Sequence, residues 1–404
     1  MTRDDARALD RADPLARHRN AFALPEGVIY LDGNSLGPLP RAVPPALDDT
    51  LQRQWGERLI RSWNEGWIDA PQRLGAAIAP LIGAGPHEVI VGDTTSTHLF
   101  KAIVAALRRD PERRTVVSEA GNFPTDLHIA EGAVGCVPGA RLKVVARDAL
   151  ADALDDDTAL LLLTHVHYKT AERFDLTDWT ARAHAAGALV LWDFSHSVGA
   201  VPIDVAAAGV DLAVGCTYKY LNGGPGAPAF LYVAERWQAA LANPVSGWMG
   251  HAEPFAFEDG YRPAAGMRRW LVGTPSILAM ASLEAALAIW ADVDQAALAR
   301  KSAALFAILA EAGAAAGLPC ITPADPAARG SHISFRHPQA YAVTQALIAR
   351  GVIGDFRAPD VLRLGLTPLY LSHEDVWRAG ELLRTVIADA AWRDPAYATR
   401  LAVT

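Results

Sequence analysis

A lysine set between two tyrosines, Tyr218-Lys219-Tyr220, closes an apolar run that begins at Asp211 and opens into Asn222-Gly-Gly-Pro-Gly226. The run has the pattern of a buried strand, and the Gly/Pro cluster that of a tight, irregular loop. Burial disfavours the charged form of an amine, and a neutral amine is a nucleophile. Such a lysine most often serves to form a Schiff base with an aldehyde, and the commonest aldehyde cofactor is pyridoxal phosphate. A surface lysine beside a turn would carry the same local wording.

Other residues suit the same chemistry. The apolar run 188–193 ends in Asp193, at the strand end where open α/β sheets bind ligands. A carboxylate there can keep a pyridine nitrogen protonated, or can simply cap the next turn. His196 either aligns a phosphate or ring, or is a hydrogen-bonded core histidine. Asp93-Thr-Thr-Ser-Thr97 joins a strand to a helix and so offers N–H groups and hydroxyls to an anion. An ordinary N-cap explains those residues equally. Phe123 and Asp126 put an aromatic and then an acid at the start of another helix. Asn34 and Ser35 lie in a Gly/Asn/Ser/Pro loop, where they either meet a polar ligand or make the turn. Together these are the parts of a pyridoxal phosphate pocket: Schiff base, pyridinium partner, phosphate cup and ring-stacking face. His165 and His167 have no third ligand nearby, so no metal site is expected.

The elements that must hold these residues alternate. Strands are expected near 87–92, 114–118, 141–145, 158–164, 188–193 and 211–216, with helices between most of them. That alternation predicts a mainly parallel sheet covered on both faces. Upstream, helices are predicted over 44–61 and 71–82. From residue 276 two alanine-rich helices, 276–290 and 294–315, lead into a strand–helix–strand–helix pattern to 388, a smaller α+β domain.

The 404 residues allow a large and a small domain, and 51% of them are apolar. A net charge of -8 without a basic run argues against nucleic acid and against an anionic membrane surface. Cys136, Cys216 and Cys320 have no paired spacing and read as reduced thiols of a cytoplasmic protein. The charged N-terminus has no signal-peptide pattern, and no apolar run reaches membrane-spanning length.

Five stretches resemble kynureninases. They are Tyr30-Leu-Asp-Gly-Asn-Ser-Leu-Gly37, Phe123-Pro-Thr-Asp126, Asp193-Phe-Ser-His-Ser-Val-Gly-Ala-Val-Pro202, Gly215-Cys-Thr-Tyr-Lys-Tyr-Leu-Asn-Gly-Gly-Pro-Gly226 and Gly247-Trp-Met-Gly-His251. The resemblance runs from about Tyr30 to about Tyr370. It implies an α/β fold of the fold-type I pyridoxal class: a large domain with a seven-stranded, mainly parallel sheet, and a smaller C-terminal α+β domain. The implied divisions are 1–45, packing with the small domain; 46–275, binding pyridoxal 5'-phosphate; and 276–404. The implied reaction is hydrolysis of L-kynurenine, or its 3-hydroxy derivative, to anthranilate or 3-hydroxyanthranilate and L-alanine, in a homodimer with sites at the subunit interface.

The resemblance also implies residue roles. Lys219 would hold the cofactor and Asp193 would pair with its ring nitrogen. Thr95 and Ser96 match phosphate-side positions, Phe123 the stacking position and Asp126 a polar group near the ring. Thr164, His196 and Tyr218 fall on cofactor-contacting positions, with Tyr218 a candidate proton donor. Trp248 and Thr274 match positions that reach the phosphate from the partner subunit. Arg363 falls where the family binds the substrate α-carboxylate, although a surface ion pair would also account for it. The stretch Lys169-Thr-Ala-Glu-Arg-Phe-Asp175 departs from the family, and the aromatic side of the pocket, around Trp63, Asn64 and His251, is not matched. Rival activities are a cysteine desulfurase, an aminotransferase or a non-catalytic ligand-binding protein.

Overall fold

The structure, a computed structural model, describes residues 1–397 and 399–401. Its strands are β1 (Ile29–Tyr30), β2 (Val89–Gly92), β3 (Thr115–Glu119), β4 (Arg141–Val145), β5 (Thr158–Thr164), β6 (Leu189–Asp193), β7 (Leu212–Gly215) and β8 (Ala229–Val233). They continue with β9 (His332–Arg336), β10 (Val352–Ile353), β11 (Asp355–Arg357) and β12 (Val361–Gly365).

Seven of these form one sheet in the order β2-β8-β7-β6-β5-β3-β4. Both faces are buried, which is why the strands read as continuous apolar runs. Leu161, Leu163, Val190 and Trp192 enter one core, and Leu160, Leu162, Leu191 and Val214 enter the other. Each of the leucines at 160–163 is fully buried, worth about 2 kcal/mol apiece in transfer free energy. Helices Thr95–Arg109 and Pro124–Val134 cover one face, and Ala70–Ile78 and Leu176–Ala185 cover the other.

One strand breaks the parallel pattern. β8 runs antiparallel to both β2 and β7. Its wording, Ala-Phe-Leu-Tyr-Val, carries no signal of direction, because a strand buried on both faces is apolar either way round. The consequence matters for the site. β2, β3, β5, β6 and β7 all point the same way, so the residues that follow them gather along one edge of the sheet.

A second, antiparallel sheet of order β11-β12-β9 faces that edge. Arg363 is opposite both Asp355 and Ser334, and Gly365 is opposite His332. Helices Gln295–Ala315 and His373–Ala388 pack beside this sheet. The N-terminal helix Arg3–Arg11 joins them through Arg3 Nε to Glu374 (2.7 Å) and His373 Nδ1 to Asp10 (2.8 Å). β1 pairs with β10, and the loop after it returns to the large sheet, where Gly37 N–H donates to Tyr218 O (2.8 Å).

The helix expected over 44–61 is not uniform. An α-helix, Val43–Asp49, gives way to a π-helical stretch, Thr50–Arg58, and then to a 3-10 turn, Leu59–Trp63. Side chains compete for the ladder there: Ser62 Oγ donates to Gln54 O (2.6 Å), and Leu59 takes φ +55°. The short strands β10 and β11 were not expected. Two or three residues give too short a run for periodicity to show. No helix among the described residues is long and apolar enough to cross a membrane.

Candidate active site

Lys219 follows β7 and is buried, with its Nζ 3.0 Å from His196 Nε2. His196 lies three residues past the end of β6, in the turn that begins at Asp193. Its imidazole is pushed well below the usual range by burial and by the neighbouring Lys219 charge, which keeps the ring neutral. His196 Nδ1 is buried without a hydrogen-bond partner.

Asp193 ends β6 directly beside Thr164, the last residue of β5. Its Oδ1 accepts from Ser195 N–H (2.7 Å). Thr164 Oγ1 reaches Asp126 Oδ2 (3.2 Å) and the side chain of Asn122. Asp126 and Asp193 form a buried acid pair. Burial raises both carboxyls, and the Asp193 charge raises Asp126 further. Asp126 therefore keeps its proton and shares it with Asp193, the carboxylate of the pair.

Phe123 starts the helix Pro124–Val134, and its ring centroid lies 5.8 Å from Lys219 Nζ. Tyr218 has the same 5.8 Å separation on its own ring. Burial raises the Tyr218 phenol and so keeps it protonated. Thr95 and Ser96 are the first residues of the helix Thr95–Arg109, on the same sheet edge. The cap itself is Thr94, whose Oγ1 accepts from Thr97 N–H (3.2 Å). The Thr95 and Ser96 side chains are therefore not spent on capping.

Across from this edge, Arg363 is 1% exposed. Its Nε donates to Asp355 Oδ1 (2.8 Å), its Nη1 to Tyr168 O (2.6 Å) and its Nη2 to Ser35 Oγ (2.6 Å) and Asp355 Oδ2. A surface ion pair is ruled out by that burial. Asn34 is fully buried, and neither amide atom has a partner. A Cβ on Gly365 would fall 2.1 Å from Asn34 Oδ1, so only glycine admits the amide there. Ser35, expected either to bind or to turn, sits inside the arginine cluster.

Two expected residues stay outside. Trp248 is half-exposed and packs edge-on against Phe255 (5.6 Å), and Thr274 is exposed. Neither makes a ring contact or hydrogen bond with the Lys219 cluster within one chain. His165 and His167 hold scaffold instead: His165 Nδ1 meets Ser197 Oγ (3.0 Å), and His167 Nε2 meets Gly121 O (2.9 Å).

Several residues were missed. Tyr168 stands edge-on to Phe123 (5.2 Å) while its carbonyl takes the Arg363 donor, so it ties the two sides together. Asn122 bridges Thr164 and Ser118. Asp355 and Arg357 surround Arg363. His332 is fully buried with both ring nitrogens unpartnered, 5.8 Å from the His196 ring. The charged alternation Asp355-Phe-Arg357 was a usable strand signal, whereas nothing around His332 set it apart from core.

The donor set fits pyridoxal 5'-phosphate. A protonated ring nitrogen would find a carboxylate in Asp193, and an aldehyde would meet the buried Lys219 amine. The unpartnered His196 Nδ1 and the helix start at Thr95 add polar groups for the rest of such a ligand.

Comparison with known proteins agrees. Residues 298–383 match the family model for the kynureninase C-terminal domain. A kynureninase of Burkholderia mallei is 51% identical over 414 aligned positions, covering 100% of both chains. One of Pseudomonas fluorescens is 49% identical with the same coverage. Among solved structures, a cysteine desulfurase from Thermococcus onnurineus superimposes with a TM-score of 0.78 at 18% identity, covering 93% of this chain and 98% of its own. The cystine lyase C-DES, in a variant with glycine covalently linked to its PLP cofactor, gives 0.77 at 18% identity, covering 90% and 98%. At those identities the two structures speak for the fold.

Proposed function

The chain belongs to the kynureninase family, and from that premise we propose that it hydrolyses L-kynurenine to anthranilate and L-alanine with pyridoxal 5'-phosphate. One observation carries the chemistry. The buried Lys219 amine, 3.0 Å from His196, lies on the sheet edge that also holds the Asp126–Asp193 acid pair.

When bound, the cofactor supplies an aldehyde for the substrate amine and a cationic ring that withdraws electrons from the substrate α carbon. Lys219 would hold that aldehyde at rest and, as a free amine, would take the α proton as general base. Asp193, supported by Asp126, keeps the ring nitrogen protonated. Phe123 would flank the ring, and His196 and Thr164 would bind its polar edge. Thr95 and Ser96 receive the phosphate at the helix start. Arg363 grips the α-carboxylate. Water would add to the side-chain carbonyl and the bond between the β and γ carbons would break, releasing anthranilate; the Tyr218 phenol would give a proton to the β carbon, and Lys219 would return the proton to the α carbon. Asn34 and Ser35 line the substrate side, with Ser35 bonded to Arg363.

Trp248 and Thr274 would complete the phosphate side from a second copy of the chain. The exposed apolar residues Trp55, Leu59 and Ile60, and Trp248, Phe255 and Phe257, support such a homodimer. We read residues 1–45 as a segment that packs with a small domain of 276–404, and 46–275 as the cofactor-binding domain. A cytoplasmic location follows from the same reading.

A desulfurase is disfavoured because Cys216, the thiol that feels the Lys219 charge, is raised by burial and so withholds the thiolate. The test is to mix cofactor-loaded protein with L-kynurenine and measure anthranilate by fluorescence and alanine in the same tube. Equal amounts of both support the proposal. A retained cofactor band without either product overturns the reaction while leaving the cofactor site standing.

A further inference from the structure

The arginine cluster has donors to spare, and the one buried without a partner is not on Arg363, the arginine that the family resemblance singles out. A guanidinium carries five N–H groups. Asp355, Ser35 and Tyr168 O engage four of those on Arg363, leaving one on Nη1. A two-point grip on a carboxylate needs two. Arg357 stands beside it. Its Nη2 donates to Asp355 Oδ2 (2.5 Å) and to Ser35 Oγ (3.2 Å), while its Nε is buried without any partner. Leaving a charged donor buried and unpaired is costly, so such a group points to a ligand.

Charge favours an anion here as well. Two guanidiniums share the single Asp355 carboxylate. The nearest further acid, Asp32, is pushed up to about 7 by burial and by the Asp355 charge, so it offsets only part of the surplus at neutral pH. Arg363 and Arg357 both weigh on the His196 and His332 rings, which sets them close to the surroundings of Lys219 Nζ.

We propose that Arg357 is a second carboxylate-binding residue, and that the substrate α-carboxylate is held between Arg357 Nε and the free N–H of Arg363. This rests on the amino-acid substrate proposed above, and it adds a specificity determinant. Recognition of the carboxylate is shared by two strands, β11 and β12, with Asp355 setting both side chains.

The test compares wild-type, Arg357→Gln and Arg357→Lys holoenzymes. Arg357→Gln should raise KM for L-kynurenine about tenfold to a hundredfold, the loss of one charge-assisted hydrogen bond. Its kcat should stay within about threefold, because binding rather than the bond-breaking step is weakened. Arg357→Lys should fall between the two, since charge returns without the Nε donor. The decarboxylated analogue of L-kynurenine, used as a competitive inhibitor, should bind all three alike. An unchanged KM overturns the proposal, as does an inhibitor constant that rises in step with KM. Titration of the cofactor absorption band with L-alanine decides the matter separately. If wild type gives no anthranilate, the hydrolase reading fails, yet weaker L-alanine binding by Arg357→Gln still supports the role, and equal binding overturns it.

Discussion

The two walls of the site offer opposite kinds of ionisable group. The edge of the large sheet presents the acid pair Asp126 and Asp193 around one lysine. The face of the small sheet presents two arginines around one aspartate. A cationic ring nitrogen suits the first wall, and a substrate carboxylate suits the second. The difference teaches that one wall offers a carboxylate and the other offers guanidinium donors. A ligand that is positive at one end and negative at the other completes both.

Substitutions on the two walls should therefore fail differently. The largest effect is expected for Lys219→Ala, with turnover reduced by about four orders of magnitude through loss of both nucleophile and base. Absorption spectra and product assays check it, and a fully active variant would remove the lysine from the chemistry. Asp193→Asn should cost about a hundredfold to a thousandfold in kcat, since it removes the charge that stabilises the ring nitrogen. Its KM should move far less than that of Arg357→Gln, and steady-state kinetics on the pair would expose any blurring of the two walls. Tyr218→Phe should lower kcat by about a hundredfold with little change in KM, as expected of a proton donor.

The smallest effect concerns Asp32, behind the arginine wall among Asp355, Ser35, Arg357, Arg363 and Tyr30. Burial and the Asp355 charge push its carboxyl up to about 7, above the ordinary 3.8. Protonated Asp32 is thus favoured by folding, and its stabilising contribution is full below the unfolded pKa and lost as pH rises towards 7. Asp32→Asn cannot lose it. The Tm difference, variant minus wild type, should widen from about pH 4 to pH 7 and then level off. A difference that does not change with pH would remove Asp32 from the charge balance of that wall.

The two walls were not equally legible in the sequence. On the large sheet two site residues follow an apolar run within a few positions, Asp193 after Leu189–Trp192 and Lys219 after Leu212–Gly215, while Thr164, at the end of its own run, was found through resemblance. A polar side chain just past a buried strand is conspicuous. The small sheet gave less. Arg363 was found through resemblance, while Asp355 and Arg357 lie on a strand of three residues whose partner is defined only by long-range pairing. His332 sits inside an expected strand, and its lack of partners is a property of the packed site, not of its neighbours in sequence. The π-helical stretch after Asp49 escaped for the same reason, since Ser62 reaching back to Gln54 is a tertiary contact. The direction of β8 escaped because double-sided burial erases it.

The measurement that bears most directly on the acidic wall and its lysine is borohydride reduction of the cofactor-loaded protein, followed by peptide mass mapping. The reduced cofactor should appear on the peptide that contains Lys219 and on no other. A label on Lys101, Lys169 or another lysine, or no label at all, would contradict the site described.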